Sequence, residues 1–259
     1  MHLGLDGRMA IVCASSRGLG LACATALARE GVAVVVNGRN VEHVEATAAA
    51  IRSETGAQVI AVAADLCSDE GRDRLVAACL EPDILVTNNG GPAPGRFEDW
   101  DREAWLAALE QNLLAPVLLI RAVIGGMRAR RFGRIVNITS AMVKSPHPLM
   151  GLSTAARSAL TAVCKGLSRE VARDNVTINN LLPERIDTDR QRFMAGLQAA
   201  AHGISVEQAY QDIAESIAAN RLGTPEEFAA ACAYLCSAQA GFVSGQNLQI
   251  DGGSYAGVI

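Results

Sequence analysis

Seven short apolar runs, each followed by a longer amphipathic stretch, constrain the fold of this chain more than any other feature. The runs are continuous rather than alternating, which is typical of strands buried on both faces of a parallel sheet. The stretches between them are about 10–20 residues long and predict helices. The alternation predicts an α/β fold with a doubly wound parallel sheet of about seven strands and helices on both faces. The candidate strands are 9–14, 32–37, 58–64, 83–88, 134–139, 176–182 and 247–251.

Size and composition favour one globular domain over residues 1–259. The chain has 259 residues, of which 50% are apolar and 19% are charged, and this suits a single well-buried core. The net charge of −4 gives no reason to expect nucleic acid or an anionic membrane as a partner. No apolar run approaches the roughly 18–20 residues that span a bilayer, and "MHLGLDGR" lacks the apolar region of a signal peptide. We therefore expect a cytoplasmic protein without nucleic-acid or membrane partners.

The cysteines predict neither a disulfide framework nor a metal site. Their number, seven, is odd, and no two of them have Cys-x-x-Cys spacing. We expect buried, reduced thiols, which behave as small apolar side chains. They are Cys13, Cys23, Cys67, Cys79, Cys164, Cys232 and Cys236.

One segment, 187–221, interrupts the alternation of strands and helices. It is amphipathic, it predicts helices without a strand, and it follows a strand end directly. Ligands of doubly wound folds bind at the carboxyl ends of the strands, so we expect this segment to form a lid. A packing or oligomer-contact role is the alternative.

A glycine-rich loop, "CASSRGLG" (13–20), joins the first strand to the first helix. Gly18 and Gly20 allow the backbone to approach a pyrophosphate, and the helix N-terminus presents free N–H groups to negative charge. Gly-x-Gly alone is weak, but its position between the first strand and a helix is the context that supports it. The loop predicts a dinucleotide site.

The end of the second strand predicts which dinucleotide binds. Folds that bind NAD tend to place a carboxylate there for the ribose hydroxyls, but this chain has "VVVNGRN" with Arg39 and no acid. Arg39 and Arg17 could together hold a 2′-phosphate; two solvated arginines are the alternative. We therefore favour NADP(H) over NAD(H).

Several motifs in order resemble the short-chain dehydrogenase/reductase family along nearly the whole chain, and its 3-oxoacyl-(acyl carrier protein) reductases in particular. The loop is similar to Thr-Gly-x-x-x-Gly-x-Gly, "ADL" (64–66) to an adenine-contacting turn, and "NNGG" (88–91) to Asn-Asn-Ala-Gly. "QNLL" (111–114) resembles the segment with a helix-kinking Asn, and 221–253 resembles the C-terminal segment. The resemblance implies a Rossmann-type fold and a homo-oligomer, a tetramer or a dimer, built through 101–126, 150–172 and the last strand.

The resemblance also implies a set of cofactor-binding residues. Thr188 would contact the nicotinamide carboxamide, although Glu184 stands where the family usually has glycine after Pro183. The whole set is Ser15, Ser16, Arg17, Gly18, Leu19, Gly20, Arg39, Asp65, Leu66, Asn89, Gly90, Arg157, Pro183 and Thr188.

The catalytic positions depart from the family pattern. Ser140 matches the catalytic serine and Asn112 the tetrad asparagine, but the tyrosine thirteen residues after Ser140 is Ser153 and the following lysine is Arg157. A phenol has a pKa near 10, which a nearby cation lowers, whereas an aliphatic hydroxyl is a much weaker acid. The sequence therefore predicts altered proton delivery.

Three functions remain open from the sequence. The first is an NADP(H)-dependent oxidoreductase for a small to medium ketone or alcohol, with a water held by Ser153, Asn112 and Arg157 relaying the proton; His147 and, more weakly, Lys144 are other candidate donors. The second is a lyase or isomerase in the same pocket, and the third is a nucleotide-binding sensor or scaffold. The retained cofactor residues favour the first. The pocket walls are expected from 90–101, Met142, Leu149 and Met150.

Overall fold

A computed structural model describes residues 2–258. Seven strands form one parallel sheet in the order β3-β2-β1-β4-β5-β6-β7. Each predicted strand is present, with ends displaced by at most two residues, so the predicted doubly wound architecture is confirmed. The strands are β1 (Met9–Val12), β2 (Ala33–Gly38), β3 (Val59–Ala63), β4 (Ile84–Thr87), β5 (Gly133–Ile138), β6 (Val176–Pro183) and β7 (Asn247–Ile250).

Helices connect the strands and cover both faces of the sheet. The strand order reverses between β1 and β4, and ligands of open α/β sheets bind in the crevice at such a reversal. The helices are α1 (Gly18–Arg29), α2 (Val41–Thr55), α3 (Asp69–Ala77), α4 (Arg102–Leu109), α5 (Ala115–Ala129), α6 (Gly151–Val171), α7 (Asp189–His202), α8 (Val206–Glu215) and α9 (Pro225–Cys236).

Two apolar cores, one on each face of the sheet, explain why the strands are apolar without alternation. Ala10 and Val12 of β1 face a core with α1, α2 and α9. Ile11, between them, faces the other core with α3, α5 and α6. Successive strand residues point to opposite faces, so both sets must be apolar.

A π-helical turn, Glu110–Leu114, joins α4 to α5 as one helical unit, 102–129. The unit has 28 residues and a mean hydropathy of 1.5 over its most apolar part, which suffices to cross a membrane by length and composition alone. The expectation that no apolar stretch approaches the roughly 18–20 residues that span a bilayer is wrong for this unit. Leu119, Val123 and Met127 of the unit lie buried against the sheet, because a helix that covers a sheet is apolar for the same reason as a membrane helix.

The segment 187–221 is helical, as predicted, and holds α7 and α8. These two helices share a small core of their own, made of Ala195, Ala199, Ala209 and Ile213. They therefore pack mainly on each other and form a separate layer beyond the carboxyl end of β6.

The seven cysteines are free thiols, and six of them are buried. Within residues 2–258, no group of three or more His, Cys, Asp or Glu side chains is arranged to hold a metal ion.

Candidate active site

The glycine loop between β1 and α1 leaves the N-terminus of α1 open. No side chain caps this helix, whereas Asn40 caps α2. Gly18 has φ +58°, and a Cβ at Gly20 would lie 2.4 Å from the carbonyl oxygen of Ala14. Both glycines are therefore required by the turn, which presents uncapped N–H groups to a ligand.

Ser15 and Ser16 hold this loop against β2. The buried Ser15 hydroxyl donates to the Val12 carbonyl at 2.7 Å and accepts from the Asn37 N–H at 2.9 Å. Thr47 of α2 donates to the Ser16 carbonyl at 3.1 Å. Leu19 packs against the core on the α1 face. These four contacts fix the loop, and the role of the Ser15 side chain in this structure is to position the loop backbone.

Arg17 and Arg39 are both exposed. Neither forms an ion pair with any residue of the described range 2–258. The residue before Arg39 is Gly38, and a side chain has no room at that position. A Cβ on residue 38 would lie 2.7 Å from Val44 and 2.8 Å from the Ser16 hydroxyl. Two unpaired guanidinium groups thus accompany the loop, as the phosphate hypothesis requires.

The turns after β3 and β4 carry the next residues predicted to bind the cofactor. Asp65 is exposed and its Oδ1 accepts from the Cys67 N–H at 3.0 Å, whereas the Leu66 side chain is buried in the core, so only its backbone is available. Asn88 donates to the Ala14 carbonyl at 3.2 Å and ties the glycine loop to β4. Sequence reasoning gave Asn88 no role of its own, although it stands in the quoted "NNGG" motif.

Asn89 and Gly90 lie where β4 meets the kinked helical unit. The Asn89 side chain donates to the Gln111 carbonyl at 3.2 Å and accepts from the Gly90 N–H at 2.9 Å. Asn112 lies in the π-helical turn, as its expected helix-kinking role requires, and is buried. Its Oδ1 has no hydrogen-bond partner within the described chain. A buried acceptor of this kind normally binds an ordered water or a ligand.

Ser140, Ser153 and Arg157 come together at the carboxyl end of β5. The Ser140 hydroxyl accepts from the Met142 N–H at 3.2 Å and caps a short turn, Ala141–Val143. Ser153 and Arg157, one turn apart on α6, are both buried, and the Arg157 Nε donates to the Ser153 Oγ at 3.2 Å. Arg157 also donates to the Thr139 carbonyl, so it lies beside the backbone that Ser140 directly follows in the chain.

The Arg157 guanidinium is held by backbone carbonyls. Its Nη1 donates to Ile138 at 2.7 Å and to Thr139 at 3.1 Å, and its Nη2 reaches Asn89 at 3.5 Å. Burial, together with the charge of Arg190, lowers the pKa of Arg157 to about 10. The group therefore remains a cation at neutral pH and serves as a fixed charge rather than as an acid.

His147 and Lys144 lie in the loop after Ser140. His147 is exposed, and its Nδ1 accepts from the Leu149 N–H at 3.3 Å. The Lys144 Nζ lies 5.2 Å from the centre of the Tyr255 ring. Tyr255 is 115 positions after Ser140 in the chain, and only the fold brings it beside this loop.

The segment after β6 carries the remaining predicted residues. Pro183 ends β6 opposite Ile250. Glu184 donates its N–H to the Ile250 carbonyl at 3.0 Å, and burial raises the pKa of its carboxyl. The Thr188 hydroxyl accepts from the Gln191 N–H at 3.4 Å and caps α7. Thr188 thus starts the helical layer at the edge of the crevice.

Arg190, which sequence reasoning missed, bridges the crevice. Its Nη2 donates to the Pro92 carbonyl at 3.0 Å, and Pro92 lies in the loop after β4. The only sequence signal was its position two residues after Thr188. The bridge ties the first turn of α7 to the expected substrate loop.

Comparisons with known proteins show which family this chain resembles. A sequence model of the family described as enoyl-(acyl carrier protein) reductase matches residues 13–255. NADPH-dependent reductase BacG of Bacillus subtilis (strain 168) is 32% identical over 255 residues, which span 96% of this chain and 98% of that protein. Dehydrogenase/reductase SDR family member 4 of Bos taurus is 33% identical over 255 residues, spanning 96% and 88%.

Solved structures match over nearly the full length. L-sorbose reductase from Gluconobacter frateurii, in complex with NADPH and L-sorbose, superposes with a TM-score of 0.94 at 30% identity, over 100% of both chains. Actinorhodin polyketide ketoreductase with NADPH superposes with a TM-score of 0.91 at 30% identity, over 96% of this chain and 98% of that one. The fold, the order of the site segments and these matches agree, and the chain belongs to the short-chain dehydrogenase/reductase family.

Proposed function

We propose that this protein is an NADP(H)-dependent oxidoreductase that interconverts a small to medium ketone and its alcohol. The observation that carries the proposal is the open N-terminus of α1 behind a loop whose Gly20 has no room for a Cβ. Such a turn fits a pyrophosphate. NADPH appears in the names of a relative and of two structural matches, which supports the same cofactor here.

The residues present fit NADP(H) from end to end of the crevice. The N–H groups of 18–20 would hold the pyrophosphate, and the unpaired Arg17 and Arg39 the 2′-phosphate. Asp65 and the backbone of Leu66 would border the adenine, while Asn89, Gly90, Pro183 and Thr188 would border the nicotinamide. Bound NADPH supplies the hydride that reduces the carbonyl carbon.

The chain's own groups then manage the proton. We assign to Ser140 a hydrogen bond to the carbonyl oxygen, which polarises it. A water held between Ser153 and the unpartnered Asn112 Oδ1 donates the proton to the developing alkoxide, and Arg157 stabilises the hydroxide left behind until solvent replaces the proton. Because Arg157 is fixed by carbonyls on β5, this charge needs no rearrangement during the reaction.

We further propose that the layer formed by α7 and α8 acts as a lid, and that the protein works in the cytoplasm as a homo-oligomer, a tetramer or a dimer. The small separate core of the layer and the bridge from Arg190 to Pro92 support the lid.

The test is a fluorescence titration with NADPH and with NADH, followed by a panel of ketones and aldehydes with NADPH oxidation as the readout. We expect NADPH to bind more tightly than NADH. Arg39→Asp should weaken NADPH by at least about tenfold, since a charge-assisted phosphate contact becomes a repulsion, and should change NADH little.

Equal losses for both nucleotides would contradict the role of Arg39. Binding of NADPH without oxidation by any carbonyl would contradict the redox reaction and favour the scaffold or the non-redox lyase or isomerase. Binding of neither nucleotide would overturn the proposal as a whole.

A further inference from the structure

Two arginines from different helices attach to one short loop segment, 89–92. Arg157 of α6 donates towards the Asn89 carbonyl at 3.5 Å, and a Cβ on Gly91 would lie 3.8 Å from its Nη2. Arg190 of α7 donates to the Pro92 carbonyl at 3.0 Å. One guanidinium is buried and the other is exposed, so they mark the inner and outer ends of one wall of the crevice.

Neither arginine has an acidic partner. Within residues 2–258 no carboxylate lies in ion-pair distance of either group, although other arginines are paired: Arg128 with Asp174 at 2.8 Å, and Arg192 with Asp187 at 3.9 Å. Burial lowers the pKa of Arg157, and the nearby charge of Arg190 lowers it further. Two cations that repel each other across neutral backbone carbonyls leave the wall with uncompensated positive charge.

Arg190 has donors to spare. One nitrogen donates to Pro92, and the guanidinium carbon lies 5.4 Å from the centre of the Phe193 ring. No further hydrogen bond joins its side chain to the described residues, and a guanidinium carries five N–H donors in a planar fork that matches a carboxylate.

We propose that Arg190, backed by the charge of Arg157, is a specificity-determining residue that binds the carboxylate of an oxo acid or hydroxy acid substrate. The inference rests on the proposed function, because it names the substrate class of the same site. The proposed function assigns the phosphates of NADP(H) to residues at the α1 end of the crevice, whereas Arg190 contacts the loop expected to border the substrate.

The experiment compares a matched acid and amide that do not react. Calorimetric titrations use 4-phenylbutanoate and 4-phenylbutanamide, with the protein free and saturated with NADP+, for the wild type, Arg190→Gln and Arg192→Gln. Arg192 is the control because it lies on the same helix and pairs with Asp187. Initial rates with 2-oxo-4-phenylbutanoate and its ethyl ester, and the affinity for NADPH, are measured for the same proteins.

We expect the wild type and Arg192→Gln to bind the acid at least about tenfold more tightly than the amide, as one charge-assisted contact provides. Arg190→Gln should lose this preference, keep its affinity for NADPH within about twofold, and raise KM for the oxo acid more than for the ester. Added salt should reduce the preference of the wild type.

Equal binding of acid and amide by the wild type would overturn the inference. An Arg190→Gln variant that still binds the acid more tightly than the amide would also overturn it. If Arg190→Gln instead binds NADPH more weakly, Arg190 is a cofactor ligand and the inference is wrong. Because the titration needs no turnover, a protein that binds the acid selectively but oxidises no NADPH would contradict the proposed reaction and support the subsite.

Discussion

At the scale of single residues, the proposed proton delivery depends on the pair Ser153 and Arg157. Their side chains are buried together, and the guanidinium donates to the hydroxyl at 3.2 Å. A hydroxyl that accepts from a cation is well placed to orient a water, yet it cannot replace a phenol as an acid, because its pKa lies far above that of tyrosine. We therefore attribute proton delivery to a water held by the site.

Substituting Ser153 and Arg157 together tests the source of the proton. Ser153→Tyr together with Arg157→Lys places a phenol beside a cation, and we expect it to raise the rate of carbonyl reduction by roughly 10²-fold, at the lower end of what general acid catalysis provides. The rate is measured as kcat with saturating NADPH on the best ketone of the panel.

The control for this variant is Ser153→Phe with Arg157→Lys, which adds the same ring without its hydroxyl. We expect that control to be no faster than the wild type. If kcat rises equally in both double variants, the ring raises kcat by filling space, and the supply of an acid does not explain the increase.

At the scale of elements, the turn into α1 allows almost no change in shape. A Cβ at Gly20 would meet the Ala14 carbonyl at 2.4 Å and the Ser15 Cα at 2.9 Å. Both atoms belong to the backbone, and the Ser15 side chain is hydrogen-bonded to β1 and β2. The loop can accommodate a side chain only by moving away from the strand.

We predict that Gly20→Ala weakens NADPH binding by more than tenfold, since the N–H groups of the turn shift with the loop. Gly125→Ala is the control: Gly125 lies inside α5 with nothing within 4 Å of its Cβ position. It should leave NADPH affinity unchanged and stabilise the protein by about 0.5–1 kcal/mol, measured by urea unfolding. Equal losses of NADPH affinity in Gly20→Ala and Gly125→Ala would contradict a specific role of the turn at Gly20.

The N-terminus of α9 carries a capping box that depends on pH. Glu227 accepts from the Thr224 N–H at 2.8 Å and pairs with Arg221 at 2.6 Å, and these contacts lower the pKa of Glu227 from 4.5 to about 2. A carboxyl with a lowered pKa in the folded state stabilises the fold above its unfolded pKa. This stabilisation is lost as the pH falls from about 4.5 towards 2.

We therefore predict that Glu227→Gln lowers Tm at pH 6, and that the difference from the wild type shrinks as the pH falls through this window. Thermal unfolding at a series of pH values measures it. Glu226→Gln removes a charge from the same turn and leaves the Glu227–Arg221 pair intact, so its smaller effect at pH 6 separates that ion pair from the helix dipole. A pH-independent difference for Glu227→Gln would contradict the assignment.

At the scale of the whole molecule, the two ends of the sheet have different tasks. The carboxyl ends of the strands carry the proposed site, while the amino end of β5 carries Arg134, which is 1% exposed. Its Nε donates to the Ser237 carbonyl at 3.0 Å, and its Nη1 to those of Gly133 and Asn175 at 2.9 and 3.0 Å. This side chain joins β5 to segments far apart in the chain.

Arg134→Leu should cost about 2–4 kcal/mol of unfolding free energy, because several buried carbonyls lose their donor. NADPH affinity at a temperature where the variant is folded should not change, since the site lies at the opposite end of the sheet. Arg29→Ala, which removes an exposed pair with Glu54, should cost less than about 1 kcal/mol. An Arg134→Leu variant that binds NADPH more weakly while its free energy of unfolding is unchanged would contradict this division of tasks between the two ends of the sheet.

Much of this molecule follows from local sequence. Both cores require apolar residues on consecutive strand positions, such as Ala10 and Ile11, so the apolar runs alone predicted all seven strands and the helices between them. Gly18 and Gly20 predicted the loop, because only glycine suits their backbone geometry. Counting from Ser140 likewise predicted Ser153 at the position where the family resemblance implies tyrosine. The apolar length of the unit 102–129 was underestimated because polar residues such as Glu110 and Gln111 interrupt the run, although the helix continues through them.

The sequence by itself thus determined the sheet, the glycine loop and the identity of the residue thirteen positions after Ser140, since each depends on periodicity, spacing or the intrinsic chemistry of one residue. Only the tertiary structure decided that Arg157 turns to the carbonyls of β5, that Arg190 reaches Pro92, and that Tyr255 lies beside Lys144. Long polar side chains have many rotamers of similar energy. The acceptors that select one of them come from distant segments, which only the completed fold brings within hydrogen-bonding distance.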